Sequence, residues 1–292
     1  MLWIILTAAA APLQVARNAL QRGLVGDAGP WGATLVRFLF GLPFSLAMFG
    51  AVAAFSPGAT PRVGLGYLLA AAVGGLAQMG ATAALLVAMR RSGFAVATAL
   101  QQSSLPFAAL LGLAMGDHLS VPAWGGVGLA SAGLVVLTWP RRGAVQGALP
   151  GALLGLASGL AFAVALNAYR RAGVLLEPDH PIFAALATVC LVQAFQTALL
   201  ASLLAWLRPS ALVAVLAAWR QSLGAGFCGS AASACWFAAL ALAPAGPVRA
   251  VGVIEMPIAA AAGRRLFSEK LSFGQLAAGA LTAIGVVLVA LG

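Results

Sequence analysis

The chain is a succession of long apolar runs, cut at short clusters of Gly, Pro and charge. About 20 apolar residues in a helix are needed to cross the hydrocarbon of a bilayer. Reading the runs against that length gives ten spans, at about 2–20, 31–54, 65–88, 93–115, 120–138, 149–169, 181–206, 221–242, 246–266 and 272–291. Their connections are short, and none reads as a soluble domain. Only helices and closed barrels satisfy their backbone groups in hydrocarbon. A barrel would alternate apolar and polar residues over segments of roughly ten, whereas these runs are continuous and rich in Ala, Leu and Gly. Six acidic residues among 292, with 62% hydrophobic composition and a mean hydropathy of +1.02, leave too little charge to solvate such a surface in water. The expected class is an all-α polytopic membrane protein with ten transmembrane helices.

The net charge of +10 does not point to nucleic acid. The basic residues fall as pairs between apolar spans, Arg90-Arg91, Arg141-Arg142, Arg170-Arg171 and Arg264-Arg265, as at membrane interfaces. Cys190, Cys228 and Cys235 lie inside spans, are odd in number and lack metal-ligand spacing, so they read as small buried hydrophobes. Nothing in the sequence calls for a metal or cofactor. The apolar N-terminus has no Lys or Arg ahead of it and continues past Pro12, so it reads as an uncleaved first helix.

The two halves echo each other. In the first, Leu105-Pro106 is followed eleven residues on by Asp117-His118-Leu119-Ser120, with Gly133 thirteen beyond Ser120. In the second, Met256-Pro257 is followed twelve residues on by Glu269-Lys270-Leu271-Ser272, with Gly285 thirteen beyond Ser272. The repeats occupy residues 1–140 and 148–292, five spans each. An odd number of spans per copy requires the second copy to enter the membrane inverted, a device found in secondary transporters.

These features together resemble the drug/metabolite transporter superfamily, in its ten-helix branch with two EamA-type repeats. The carriers are Arg37-Phe38, the Pro106 and Pro257 helices, the acidic-x-Leu-Ser loops at Asp117 and Glu269, and the Gly133 and Gly285 helices. The resemblance spans the whole chain. It implies efflux of an amino acid or related small metabolite across the cell membrane, a bacterial inner membrane, by a monomer or homodimer. It also implies cytoplasmic termini, with spans five and ten as supporting helices. The basic residues of the loops argue the other way, placing odd loops in the cytoplasm and both termini outside.

Glu255 is the lone carboxylate in the middle of a predicted span. A charge at the bilayer centre costs roughly 2.5–3.5 kcal/mol on insertion scales, so it usually faces a cavity or a partner. Three readings fit it: binding of substrate or a coupling proton, a structural ion pair with Arg37 or Arg249, or a protonated, hydrogen-bonded carboxyl. Gln101, Gln102, Ser103 and Ser104 form a polar block covering every face of span four, so some must meet protein or water. Aligned on the prolines, Ser104 and Glu255 are equivalent, and the proline deprives a preceding carbonyl of its helix donor, which a wet cavity could satisfy. The candidate substrate contacts are Glu255, Gln101, Gln102, Gln78, Trp236, Ser104 and Asn167. Arg17, late in span one beside Gln14 and Asn18, reads more readily as snorkelling to the interface, and Tyr169, Gln193 and Gln196 as packing or interhelical hydrogen bonds. Gly151, Gly155 and Gly159 mark one closely packed face of span six. Catalytic motifs are absent: there is no HExxH, no GxSxG with a placed His and no Walker A, so neither an intramembrane enzyme nor an ATP-driven pump is expected. A channel would need repeated polar rings along a pore; a non-transporting membrane subunit is the remaining rival.

Overall fold

The computed structural model describes residues 1–138 and 148–267, together with 280, 281, 284, 285, 287 and 288. The described residues are helical with no strand. The elements are α1 (Leu2–Leu39), α2 (Leu42–Ala54), α3 (Leu65–Ser92), α4 (Phe94–Gln101), α5 (Ser104–Ala114), α6 (Val121–Thr138), α7 (Ala148–Leu176), α8 (Pro181–Leu207), α9 (Pro209–Ala217), α10 (Trp219–Leu242), α11 (Ala245–Gly252) and α12 (Glu255–Phe267). Seven stretches among them are long and apolar enough to cross a membrane: 28–54, 65–92, 94–114, 149–176, 181–207, 219–242 and 245–267. Large hydrophobics such as Leu65, Leu69, Leu110, Val121 and Trp206 stand exposed on the outside of the bundle. Water would tolerate that surface poorly; hydrocarbon suits it.

The predicted first and second spans are written into one helix, α1, which is helical throughout except at Gly29 (φ 68°, ψ 176°), ahead of Pro30. Only glycine adopts that conformation without strain. The Gln21 side-chain amide donates to the Ala33 carbonyl at 2.7 Å. Twelve residues of straight helix would hold these about 18 Å apart, so the chain folds back at Gly29 and the two stretches run side by side. The first of them, with Gln14, Arg17 and Asn18, is not among the seven apolar stretches; nor is α6, at the fifth span. The second span breaks at Phe40–Gly41, where α10 crosses: the Ser230 hydroxyl donates to the Gly41 carbonyl at 2.7 Å. The connection expected after span seven holds a short helix, α9, whose Val215 packs by Gly32 of α1. The Arg141-Arg142 pair, the Glu269–Ser272 loop and most of span ten lie outside the described residues. Gly285 is described and sits against α6, where a Cβ would lie 2.5 Å from the Ala130 nitrogen.

The spans expected at 93–115 and 246–266 are each broken in the middle, a feature the apolar pattern does not announce. α4 gives way to α5 at Gln102–Ser103, and α11 to α12 at Val253–Ile254. The two breaks use the same hydrogen bonds. Leu105 N donates to Gln102 O at 2.9 Å and Met256 N to Val253 O at 2.8 Å. Each is a three-residue bond immediately before a proline, Pro106 or Pro257. The carbonyl that proline deprives of a donor is thus recovered by a tighter turn, not left to a wet cavity as the sequence suggested.

The most extensive helix contacts are α3 with α7 and α1 with α10. The glycine face of α7 explains how the first break is seated. Gly155 receives Leu100, and a Cβ at Gly159 would collide with Ser103 Oγ and lie 2.9 Å from the Gln101 carbonyl. The face is a close-packing surface, as its spacing predicts.

Candidate functional site

The two helix breaks meet in the bundle interior. Glu255 opens α12, where a carboxylate complements the positive end of the helix, and it is fully buried. Its Oε1 accepts from Gln14 Nε2 at 2.7 Å and Arg249 Nη1 at 3.3 Å; its Oε2 accepts from Gln102 Nε2 at 3.3 Å. Arg249 also donates from Nη2 to Gln102 Oε1 and from Nε to Ser104 Oγ, both at 2.6 Å. Gln102 therefore accepts from the cation and donates to the anion, closing a ring of charge-assisted bonds. The guanidinium lies over the Trp236 ring, 5.3 Å from its centroid. Of the two ion-pair partners considered for Glu255, Arg249 is the one within reach.

Arg37 is engaged elsewhere. Its Nη1 donates to Thr82 Oγ1 at 3.2 Å and its Nη2 to Ser233 Oγ at 3.1 Å. Nearby, Tyr169 donates its hydroxyl to Gln78 Oε1 at 2.8 Å, and Gln196 Nε2 donates to the same oxygen at 2.9 Å and to the Gly75 carbonyl at 2.9 Å. Arg17 holds the Asn18 side-chain oxygen with Nε and Nη2, at 3.1 and 2.6 Å.

Between these groups lies a small cavity, in which water centres reach about 30 Å³, room for roughly two waters. Its polar wall is Gln14, Arg37, Gln78, Gln101, Ser233 and Arg249. Its apolar wall is Phe162, Ala165, Leu166, Phe237 and the rings of Tyr169 and Trp236.

Of the sequence candidates, Gln78, Gln101 and Trp236 line this cavity, and Gln102, Ser104 and Glu255 form the ion-pair network behind it. Asn167 stands apart. Its amide donates to the Ala108 and Ala163 carbonyls at 3.2 and 3.0 Å, tying α7 to α5, and it does not line the cavity. The residues not chosen from sequence are Gln14, Arg37, Arg249, Tyr169 and Ser233. Arg37 and Arg249 carried a signal, as cations inside apolar runs; Gln14 and Ser233 gave none beyond mild polarity.

No protein-family model and no curated protein matches the chain. A solved crystal structure of a protein of similar length superposes on it with a TM-score of 0.64 at 21% identity, covering 99% of this chain and 96% of that one. At that identity the likeness speaks for the fold, over essentially the whole chain, and for nothing more.

Proposed function

We propose that the protein is a secondary transporter that carries a small metabolite across the cell membrane by alternating access, in the outward direction. The observation that carries this reading is the pair of broken helices, α4–α5 and α11–α12, whose equivalent first residues Ser104 and Glu255 are both held by Arg249 beside a cavity. Discontinuous helices at an intramembrane polar site are a recurrent device of secondary carriers. Ten spans in two inverted five-helix repeats, 1–140 and 148–292, complete the proposal. The matched hydrogen bonds of the two breaks support it. So do the two dominant contacts, α3–α7 and α1–α10: pairing the first span with the sixth and the third with the eighth exchanges the former with that part of the latter made by the first span, where Arg17 lies by Gly229.

In this reading the halves rock about the cavity. Gln78, Gln101, Trp236 and Arg37 meet the solute, while Glu255, Gln102 and Arg249 register its presence through the ring between the two breaks. Protons are the proposed coupling ion, with Glu255 as the group that takes them up. The polar groups gather in one cluster, which favours a carrier site over a pore. The test is counterflow: proteoliposomes loaded with a mixed metabolite pool should accumulate a labelled pool member against its gradient, a result a channel cannot give. Failure of every pool member, in both orientations and with an imposed pH gradient, would overturn the transport reading.

A further inference from the structure

The charges around the cavity do not balance. Arg17, Arg37, Arg249 and Glu255 are all buried in the bundle interior, three guanidiniums against one carboxylate; the other buried acid among the described residues, Glu177, lies past the end of α7. Glu255 is engaged by Arg249 and reaches neither Arg17 nor Arg37 through any hydrogen bond. Those two arginines run side by side across Gly229, where a Cβ would lie 3.0 Å from Arg37 Cγ and 3.3 Å from Arg17 Cδ. Their partners are neutral: an amide oxygen for Arg17, two hydroxyls for Arg37. Adjacent like charges in a low dielectric are unfavourable without a counter-ion.

Beside the cavity lie two donors with nothing to donate to. Arg37 Nε and Trp236 Nε1 are buried and have no hydrogen-bond partner, nor has the Gln101 amide oxygen, and all three residues line the cavity. Buried donors left in that state are rare. Arg37 cannot easily turn to satisfy its Nε, because Thr82 and Ser233 hold its two terminal nitrogens. The same cavity is lined by the apolar side chains of Phe162, Leu166 and Phe237.

We propose that the cavity, widened from its present room for roughly two waters, binds a small organic monocarboxylate, its charged end on Arg37 Nε and Trp236 Nε1 and its apolar body against Phe162, Leu166 and Phe237. The inference names the solute class for the transport reading above and rests on it for movement, not for binding. A carboxylate brings the missing negative charge and two acceptor oxygens for two fixed N–H groups. A cation would add to the excess positive charge, and a neutral solute would leave it in place.

Benzoate is the probe, with benzamide and benzylamine as neutral and cationic shape-mates and sodium chloride and sodium phosphate at matched ionic strength. Thermal stability of the purified full-length protein in lipid nanodiscs should rise saturably with benzoate and not with the others. Trp236→Phe keeps the ring and removes only the N–H; it should weaken benzoate at least threefold. Arg37→Gln should weaken it tenfold or more, and if that variant fails to fold, Trp236→Phe decides alone. Equal binding of benzamide or benzylamine overturns the inference, as does saturation by chloride or phosphate at the same concentrations, or an unchanged affinity in Trp236→Phe. Benzoate binding without benzoate counterflow upholds the anion site and removes the transport reading. Counterflow of a cation without benzoate binding does the reverse.

Discussion

Replacing Glu255 with Gln tests the ion-pair network atom by atom. An amide oxygen in place of Oε1 still accepts from Gln14, which sits at 2.7 Å. The amide nitrogen then takes the place of Oε2 and meets the Gln102 Nε2 donor. Gln102 cannot flip to relieve that contact, because its oxygen accepts from Arg249 at 2.6 Å. Arg249 keeps two short bonds and the Trp236 face but loses its counter-ion. Removing one partner of a buried pair costs about 3–5 kcal/mol; the bonds Arg249 retains favour the lower end. Arg249→Gln should cost a similar amount. The double substitution Arg249→Gln with Glu255→Gln removes both charges, so its cost should fall short of the sum by about 2 kcal/mol. Equilibrium unfolding in mixed micelles, followed by far-ultraviolet circular dichroism, measures all three. Additive costs, or less than about 1 kcal/mol for Glu255→Gln, would mean that the ion pair carries nothing.

Gly159→Ala should destabilise by about 1–3 kcal/mol, since the new methyl meets the backbone of the α4–α5 break, which cannot move aside; an unfolding midpoint equal to the parent's would refute that seating. Asn167→Ala should cost about 0.5–1.5 kcal/mol of stability, by removing the side-chain bond to the Ala108 carbonyl that ties α7 to α5, while any solute's half-saturation constant stays unchanged. A changed constant would return Asn167 to the substrate site. Glu177 lies just beyond α7, and its Oε2 accepts from the Thr60 amide at 2.6 Å. Burial opposes its charge, but bonds from the Thr60 and Asp179 amides and the His180 imidazole 3.6 Å away outweigh that and hold the carboxyl below its usual range. Its anchoring is therefore complete above the ordinary carboxylate pKa and lost as pH falls through the lower folded value. Hydrogen exchange at Thr60 should accelerate only in that acid window, and Glu177→Gln should abolish the pH dependence; acceleration near neutral pH would contradict it.

The helical membrane class was legible because continuous apolar runs leave few alternatives, and Glu255 stood out because nothing near it in the sequence is acidic. Its partner was harder to read. Arg249 and Glu255 are six residues apart, which on an unbroken helix places them about 120° from one another around the axis. They meet only because α11 ends at Gly252 and α12 begins at Glu255. The same holds for Gln102 and Ser104, two apart, which share Arg249 across the other break. Pro106 and Pro257 marked where the helices would be disturbed; the tight turn placed just before each proline depends on packing, Gly159 for the first and Trp236 against Gly252 for the second. Asn167 falls outside this cavity, and its depth in the span could not show that, because depth says how buried an amide is and nothing about which helix face it occupies. Gly29-Pro30 marked the fold-back of α1, although helix propensity carries the helix to its edge on both sides.

Ser233 is the place to measure alternating exposure of the cavity. It lines the cavity, and cysteine replaces it with little change of size. With Cys190, Cys228 and Cys235 replaced by Ala or Ser, Ser233→Cys can be probed in sealed vesicles of known orientation with a membrane-impermeant thiol reagent. Labelling is expected from each face in turn while the vesicles hold an ion gradient. Labelling from one face only, or labelling from both with collapse of the gradient, would contradict it.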